Sequence, residues 1–325
     1  GRLAARVCAV AFGALAARAF GGPAAAAWPA RERGIRPRYR GPTARSLHER
    51  YLRSTAPLFA SSIATTIQRL GFYPLIAVFL TSTAGAVFAV GELVGMLVRL
   101  PLFGINQLMP PVAATLYGDD HHEALAKLYH ATSRLVLVGV TGLAVPVVVF
   151  RREVMGLFGP AFVEYAPLLP AFVLAQWIAC GAGSVGILLA MTDHQRAMFL
   201  VNTAITAGLV VVSIPLTRQY GLAGVVGVYL LMLSLNNVLE VVVLWWLEDL
   251  QPLTVAHLKP VAAAVPLAAV TLVGHRFVPG LVGAVGATVV GLAVYAGVLL
   301  WLGFAPAERR LVGALADRYR SVTPG

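Results

Sequence analysis

Long apolar runs alternate with short polar breaks along almost the whole chain. From residue 55 the run TAPLFASSIATTIQRLGFYPLIAVFL turns at Thr81-Ser82-Thr83-Ala84-Gly85 and returns as AGAVFAVGELVGMLVRLPLFGINQLMPPVAATL. Each run exceeds the ~20 residues that a helix rising about 1.5 Å per residue needs to cross a bilayer core. The pattern therefore predicts a transmembrane hairpin over 55–116. Residues 117–134 are polar and read as a short solvated helix. Further spans are expected at 135–150, 166–192, 197–217, 222–247, 260–275 and 281–304. They are separated by a loop at 151–165 with a Gly159-Pro160 turn, by 193–196, by 218–221 and by 248–259. None of the runs shows the ~10-residue alternation of barrel strands. The expected fold is all-α: a polytopic membrane helix bundle of about eight transmembrane helices.

Composition supports a membrane protein. The chain is 58% hydrophobic and 12% charged with a mean hydropathy of +0.79, whereas soluble domains carry about 25% charged residues. The net charge of +11 would suit nucleic acid, but the basic residues cluster in breaks between apolar runs and no aromatic interleaving accompanies them. Their distribution orients the chain instead. Segments 31–53, 116–134, 193–196, 248–259 and 305–325 hold 16 Lys and Arg, and the breaks on the other side hold 4. By the positive-inside rule the first set is cytoplasmic, which places both ends of the helical region on that side of a cell membrane.

Residues 1–20, apolar but broken by Arg6 and Arg18, read as the remnant of a preceding transmembrane helix, since the chain opens on Gly1 rather than methionine. A signal peptide is the competing reading. Residues 21–53 form a basic connector suited to anionic headgroups.

Charges inside the apolar runs are the first candidate chemistry. Arg69 lies thirteen residues before Ser82 and Glu92 ten after it, so the two share a depth; Arg99 follows Glu92 by two turns. Charge at bilayer depth costs several kcal/mol and faces a partner or a water-filled cavity. Two readings stand: a structural ion pair with Arg99 snorkelling to the interface, or a cationic site for an anionic substrate. Deeper along the chain, Gln176, Asn202, Asn236, Asn237 and Glu240 are polar in apolar surroundings. Asn236 and Glu240 are one turn apart on one helix face; Glu240 is the candidate for a coupling cation, with interhelical hydrogen bonding as the default role of the asparagines. Cys8 and Cys180 read as packing residues. The nearest approach to metal-ligand spacing, Asp119-Asp120-His121-His122-Glu123, reads as the acidic start of a solvated helix. No cofactor and no metal are expected.

Several stretches carry a family resemblance. PLFGINQLMPPVAATLYGDDHHEALAKLYHATSR (101–134) resembles the end of the eighth helix and the following loop of polysaccharide flippases. LFGPAFVEYAPLLPAFVLAQWIACGAGSVGILLAMTDHQR (157–196) is similar to their ninth-to-tenth loop and tenth helix, and VNTAITAGLVVVSIPLTRQYGLAGVVGVYLL (201–231) to their eleventh helix and the turn into the twelfth. The likeness covers residues 52–260 and rests on the order and spacing of several motifs. The family is that of lipid-linked oligosaccharide flippases, in the superfamily that also holds multidrug exporters. It implies a second six-helix lobe at 54–250, two additional helices at 251–304, a cytoplasmic tail at 305–325, and an N-terminal lobe missing from this sequence. It also implies a polyprenyl-phosphate or -pyrophosphate sugar as substrate, with Arg69 and Arg99 on the phosphate and Glu92 holding an arginine when the site is empty. Coupling to H+ or Na+ is expected, together with contact with membrane lipids, and no bond is made or broken. A cation-coupled multidrug exporter, a membrane glycosyltransferase and a non-transporting scaffold are the rival readings.

Overall fold

The computed structural model describes residue 59 and residues 62–118, 121–192, 194–277 and 280–303. The expected helix remnant at 1–20, the connector at 21–53 and the tail at 305–325 lie outside the described residues. Within them the chain is helical throughout, with no strand.

Helical residues 62–70 continue after a turn at Gly71 into α1 (Phe72–Phe79). Thr81 caps the return helix α2 (Ser82–Val98) by accepting the Ala84 N–H at 3.2 Å. At Arg99 the chain bends by 56° into α3 (Leu100–Asn106). Pro101 explains the bend: it has no N–H to give the preceding turn and its ring crowds the carbonyl four residues back. The proline ring then packs against α5 (His122–Val149), where a Cβ on Gly139 would come within 2.8 Å of it. Between these helices runs α4 (Met109–Gly118).

Helix α5 corrects one expectation. The polar segment 117–134 and the span 135–150 are not separate elements, because a single helix runs from His122 to Val149. No glycine or proline punctuates the change from polar to apolar residues, so the backbone has no reason to break there. Short helices α6 (Arg151–Gly156) and α7 (Pro160–Val163) form the connection beyond it. The next span is itself broken. α8 (Leu169–Gly181) and α9 (Val185–Met191) are joined through Gly183 at φ +63, a conformation suited to glycine. The Ala182 carbonyl freed at this break accepts from the Tyr129 hydroxyl at 2.7 Å, and the Ser184 side chain fixes the next residue by donating to Asn106 Oδ1 at 2.6 Å. Irregular backbone at membrane depth persists only when satisfied in this way.

Helix α10 spans Gln195 to Glu248 and is interrupted at Gly221, which has φ 58 and ψ −135. A straight helix would hold Asn202 and Glu240 roughly 57 Å apart at 1.5 Å per residue. Their side chains meet at 3.3 Å, and those of His194 and Glu248 at 2.7 Å. α10 is therefore a hairpin folded at Gly221, with legs α10a before it and α10b after it. The tip is tight: a Cβ on Gly224 would fall 2.1 Å from the Leu216 carbonyl oxygen.

The main core lies among α1, α2, α8 and α10, where Phe72, Tyr73, Phe88, Phe172 and Tyr229 pack with ring centroids 5.2–5.9 Å apart. Such pairs add about 0.5–1.5 kcal/mol each beyond burial. Lipid is as apolar as these rings, so close contact must supply the association. Gly91 permits it, since a Cβ there would stand 2.4 Å from the Phe172 ring.

A last hairpin, α11 (Leu258–Phe277) and α12 (Leu281–Leu302), closes at Gly274, where a Cβ would reach Ala287 Cβ at 2.4 Å. It is tied to α5 by Tyr295, whose hydroxyl donates to the Val138 carbonyl at 2.9 Å. Lys259 donates to the carbonyls of Leu302 and Gly303 at 2.7 and 3.1 Å, placing a cation on the negative end of α12. Trp245, Trp246 and Trp301 are exposed at the ends of α10 and α12, where interfacial aromatics belong. Among the described residues, five helical segments are long and apolar enough to cross a membrane, or six if the bent α2–α3 pair is one span.

Candidate functional site

Two polar clusters sit within the membrane-length helices. The first is on the opening hairpin. Glu92, half-buried on α2, accepts a hydrogen bond from Tyr73 of α1 through Oε2 at 2.7 Å. The depth argument matched Glu92 to Arg69; instead the tyrosine lies opposite it, one turn further on. Arg69 is exposed, within electrostatic range of Tyr73. Among the described residues neither Arg69 nor Arg99 lies within ion-pair distance of a carboxylate. Arg99 is half-buried at the α2–α3 bend, where its charge reaches Tyr229 and Glu240 across the core. The three residues thus share a region of the fold without forming a triad.

The second cluster is built by the α10 hairpin. Glu240 of α10b is 6% exposed. Its Oε1 accepts from Asn236 Nδ2 at 3.2 Å, one turn back on the same leg, and from Asn202 Nδ2 at 3.3 Å on the opposite leg. Gln68 of the opening helix closes the cluster: its Nε2 donates to Thr206 Oγ1 at 2.9 Å, to the Asn202 carbonyl at 3.1 Å and, at 3.5 Å, to Asn236 Oδ1. Glu240 Oε2 faces Gly186 in the first turn of α9, where a Cβ would stand 3.4 Å away. No described Lys, Arg or His lies within ion-pair distance of this carboxylate.

A buried carboxylate held by two amides and no cation is an unusual object. An isolated charge in such a place is strongly penalised unless it is paired, hydrogen-bonded or neutralised by a proton. Two neutral donors on one oxygen meet part of that demand and leave the other oxygen for a proton or a small cation. Of the expected site residues, Asn236 and Glu240 are brought together as their spacing implied. Asn202 had been singled out only as a polar residue at depth, and Gln68 was missed. The available signal was symmetry about the Gly221 turn, which puts residues 202 and 240 at equal distances from it.

A third cluster resembles catalytic chemistry and is arranged against it. Ser133 Oγ lies 3.0 Å from His257 Nε2, both buried. The Thr254 backbone N–H donates to His257 Nδ1 at 3.1 Å. In the neutral ring the proton is then on Nε2, which donates to Ser133, so the histidine has no lone pair with which to activate the hydroxyl. Ser133 and His257 clamp α5 to the start of α11.

No protein-family model matches the chain, and no curated protein matches it.

Proposed function

We propose that this chain forms the second lobe, with two additional helices, of a membrane transporter that flips a lipid-linked oligosaccharide across the cell membrane, and that Glu240 binds the coupling H+ or Na+. The observation carrying the transporter reading is the cation-free, amide-held carboxylate of Glu240, set where three elements converge. Such a group binds or releases a charge when the surrounding helices move, which is what coupling requires. The broken spans at Arg99 and Gly183 next to it suit helices that rearrange.

The substrate class rests on the resemblance in residues 52–260. On this reading the exposed Arg69 and the half-buried Arg99 take phosphate oxygens through their paired donors, while Tyr73 orients Glu92 between them. The eight-span topology counts both legs of α10, the opening helix and the bent pair as separate crossings, with the basic breaks in the cytoplasm. An N-terminal lobe facing Arg69 would complete the transport path. A cation-coupled multidrug exporter is the second reading, favoured by Glu240 being the single buried acid among the described residues.

The deciding experiment is reconstitution of the full-length protein with a fluorescent polyprenyl-pyrophosphate oligosaccharide and, separately, a lipophilic cation. Gradient-driven movement of the first and not the second supports the flippase. Movement of the cation alone transfers the protein to the exporter class, and movement of neither sinks both.

A further inference from the structure

Polar groups continue from Glu240 in one direction only. On α10a, Asn202, Thr206, Ser213 and Thr217 are spaced by four, seven and four residues, which puts all of them on one helix face. Asn202, Ser213 and Thr217 are buried. Beside this stripe lies a cavity of about 60 Å³ between the opening helix and α10, with Gln68, Thr206 and Ser213 as polar lining and Ile67, Phe72 and Met232 among the apolar lining. At about 10–15 Å³ for each water it holds a few molecules. One turn beyond Ser213, Thr217 is 1% exposed and its Oγ1 has no hydrogen-bond partner. Helical threonines elsewhere in this chain donate to the carbonyl four residues back, as Thr206 does to Asn202 and Thr192 to Leu188. A buried hydroxyl without a partner is destabilising, and a water donating to or accepting from it would remove that cost.

The opposite direction is dry. Leu244 lies one turn beyond Glu240 on α10b and is 0% exposed, packed in one cluster with Val185, Leu188 and Leu189 of α9. Past it the two legs of α10 are pinned by Glu248, which accepts from Tyr117 at 3.1 Å and contacts His194 at 2.7 Å.

We propose that Glu240 is reached by water and protons from the Gly221 end of the α10 hairpin, along Thr217, Ser213 and the Thr206–Gln68 pair, while Leu244 and the α9 leucines seal it from the His194–Glu248 end. This rests on Glu240 being the coupling carboxylate. The charge distribution makes the Gly221 end extracytoplasmic, so the conformation is one loaded from outside. In the loading step a hydroxonium ion in the cavity passes its proton along waters to Glu240 Oε2, beside Gly186, and Oε1 keeps both amide donors. The described ionisable groups within electrostatic range of Glu240 are Arg99 at the α2–α3 bend and Tyr129 of α5. Gln68 on the opening helix and Gly186 on α9 bring no charge.

The test uses the whole chain in sealed vesicles, with Cys8→Ala and Cys180→Ala removing the native thiols. Ser213→Cys, Thr206→Cys and, as the dry reference, Leu244→Cys are exposed to a small membrane-impermeant thiosulfonate from each side. Ser213→Cys should react from the Gly221 side at least about tenfold faster than Leu244→Cys from either side. Reaction of Ser213→Cys and Thr206→Cys as slow as that of Leu244→Cys, or only from the His194 side, overturns the route. A second measurement needs neither cysteines nor transport. The Glu240 carboxyl band, identified by its loss in Glu240→Gln, is followed by infrared after a pH jump on the Gly221 side. Filling the cavity with Ser213→Leu should slow its protonation about tenfold; an unchanged rate overturns the route. A missing Glu240 band beside a reactive Ser213→Cys would refute the coupling carboxylate and leave the hydrated path in place.

Discussion

The opening hairpin and the α10 hairpin each carry charge at membrane depth and treat it in opposite ways. On the opening hairpin Arg69 is exposed and Glu92 is half-buried with one tyrosine donor, so the charges stay within reach of whatever covers that face. In the α10 hairpin Glu240 is enclosed and held from two legs and, through Asn202 and Asn236, from the opening helix as well. A group that must meet a large anionic substrate has to be presented; a group that must hold one small cation has to be enclosed. On the proposed function, the two hairpins would divide those requirements. The division also explains why the depth-matched pair Arg69–Glu92 does not form. A closed ion pair would cancel the charge that the exposed face offers, and the buried carboxylate of Glu240 has two amide donors and no need of an arginine to be held.

The comparison breaks first at Glu240. Glu240→Gln preserves an acceptor for both asparagines but cannot load a proton or cation. It should abolish the dependence of transport on an imposed ion gradient, a loss of at least about tenfold, with membrane abundance near normal. Undiminished gradient-driven transport would remove the coupling role. Next in size, Arg99→Lys and Arg69→Lys keep the charge and lose the planar paired donors. Each should lower translocation several-fold at normal abundance, measured with the labelled lipid-linked substrate. If either arginine were structural, the loss would appear as poor accumulation rather than as slower translocation by normally accumulated protein.

Gly91→Ala tests packing shared by both hairpins. A methyl group 2.4 Å from the Phe172 ring forces α2 and α8 apart, and overpacking of this kind costs about 1–3 kcal/mol. A lowered unfolding temperature in detergent should accompany a loss of activity no larger than the loss of folded protein. The smallest effect is expected from Tyr73→Phe. It removes the only described donor to Glu92, and hydrogen bonds to charged groups contribute about 1.5–3 kcal/mol when buried, less at this half-exposed position. A modest change in substrate affinity with normal gradient dependence would keep the two hairpins functionally separate. A change in gradient dependence would join them, and Arg99, whose charge reaches both clusters, would be the link.

Much of this architecture was legible along the chain. Hydropathy located the helices, and the Arg218-Gln219-Tyr220-Gly221 break located the fold of α10, because only glycine tolerates φ 58 with ψ −135 there. Helical spacing alone put Asn236 and Glu240 on one face. What the sequence did not determine was rotation and neighbourhood. Depth in a membrane is a one-dimensional quantity, readable from hydropathy, and it placed Arg69 and Glu92 at one level. Whether they meet depends on the azimuth of each helix. With lipid as apolar as the side chains, hydropathy has little to say about azimuth, and close packing at Gly91, Gly139 and Gly183 decides it. Tertiary structure alone brought Gln68 to Asn202, Thr206 and Asn236 and left Oε2 of Glu240 facing Gly186.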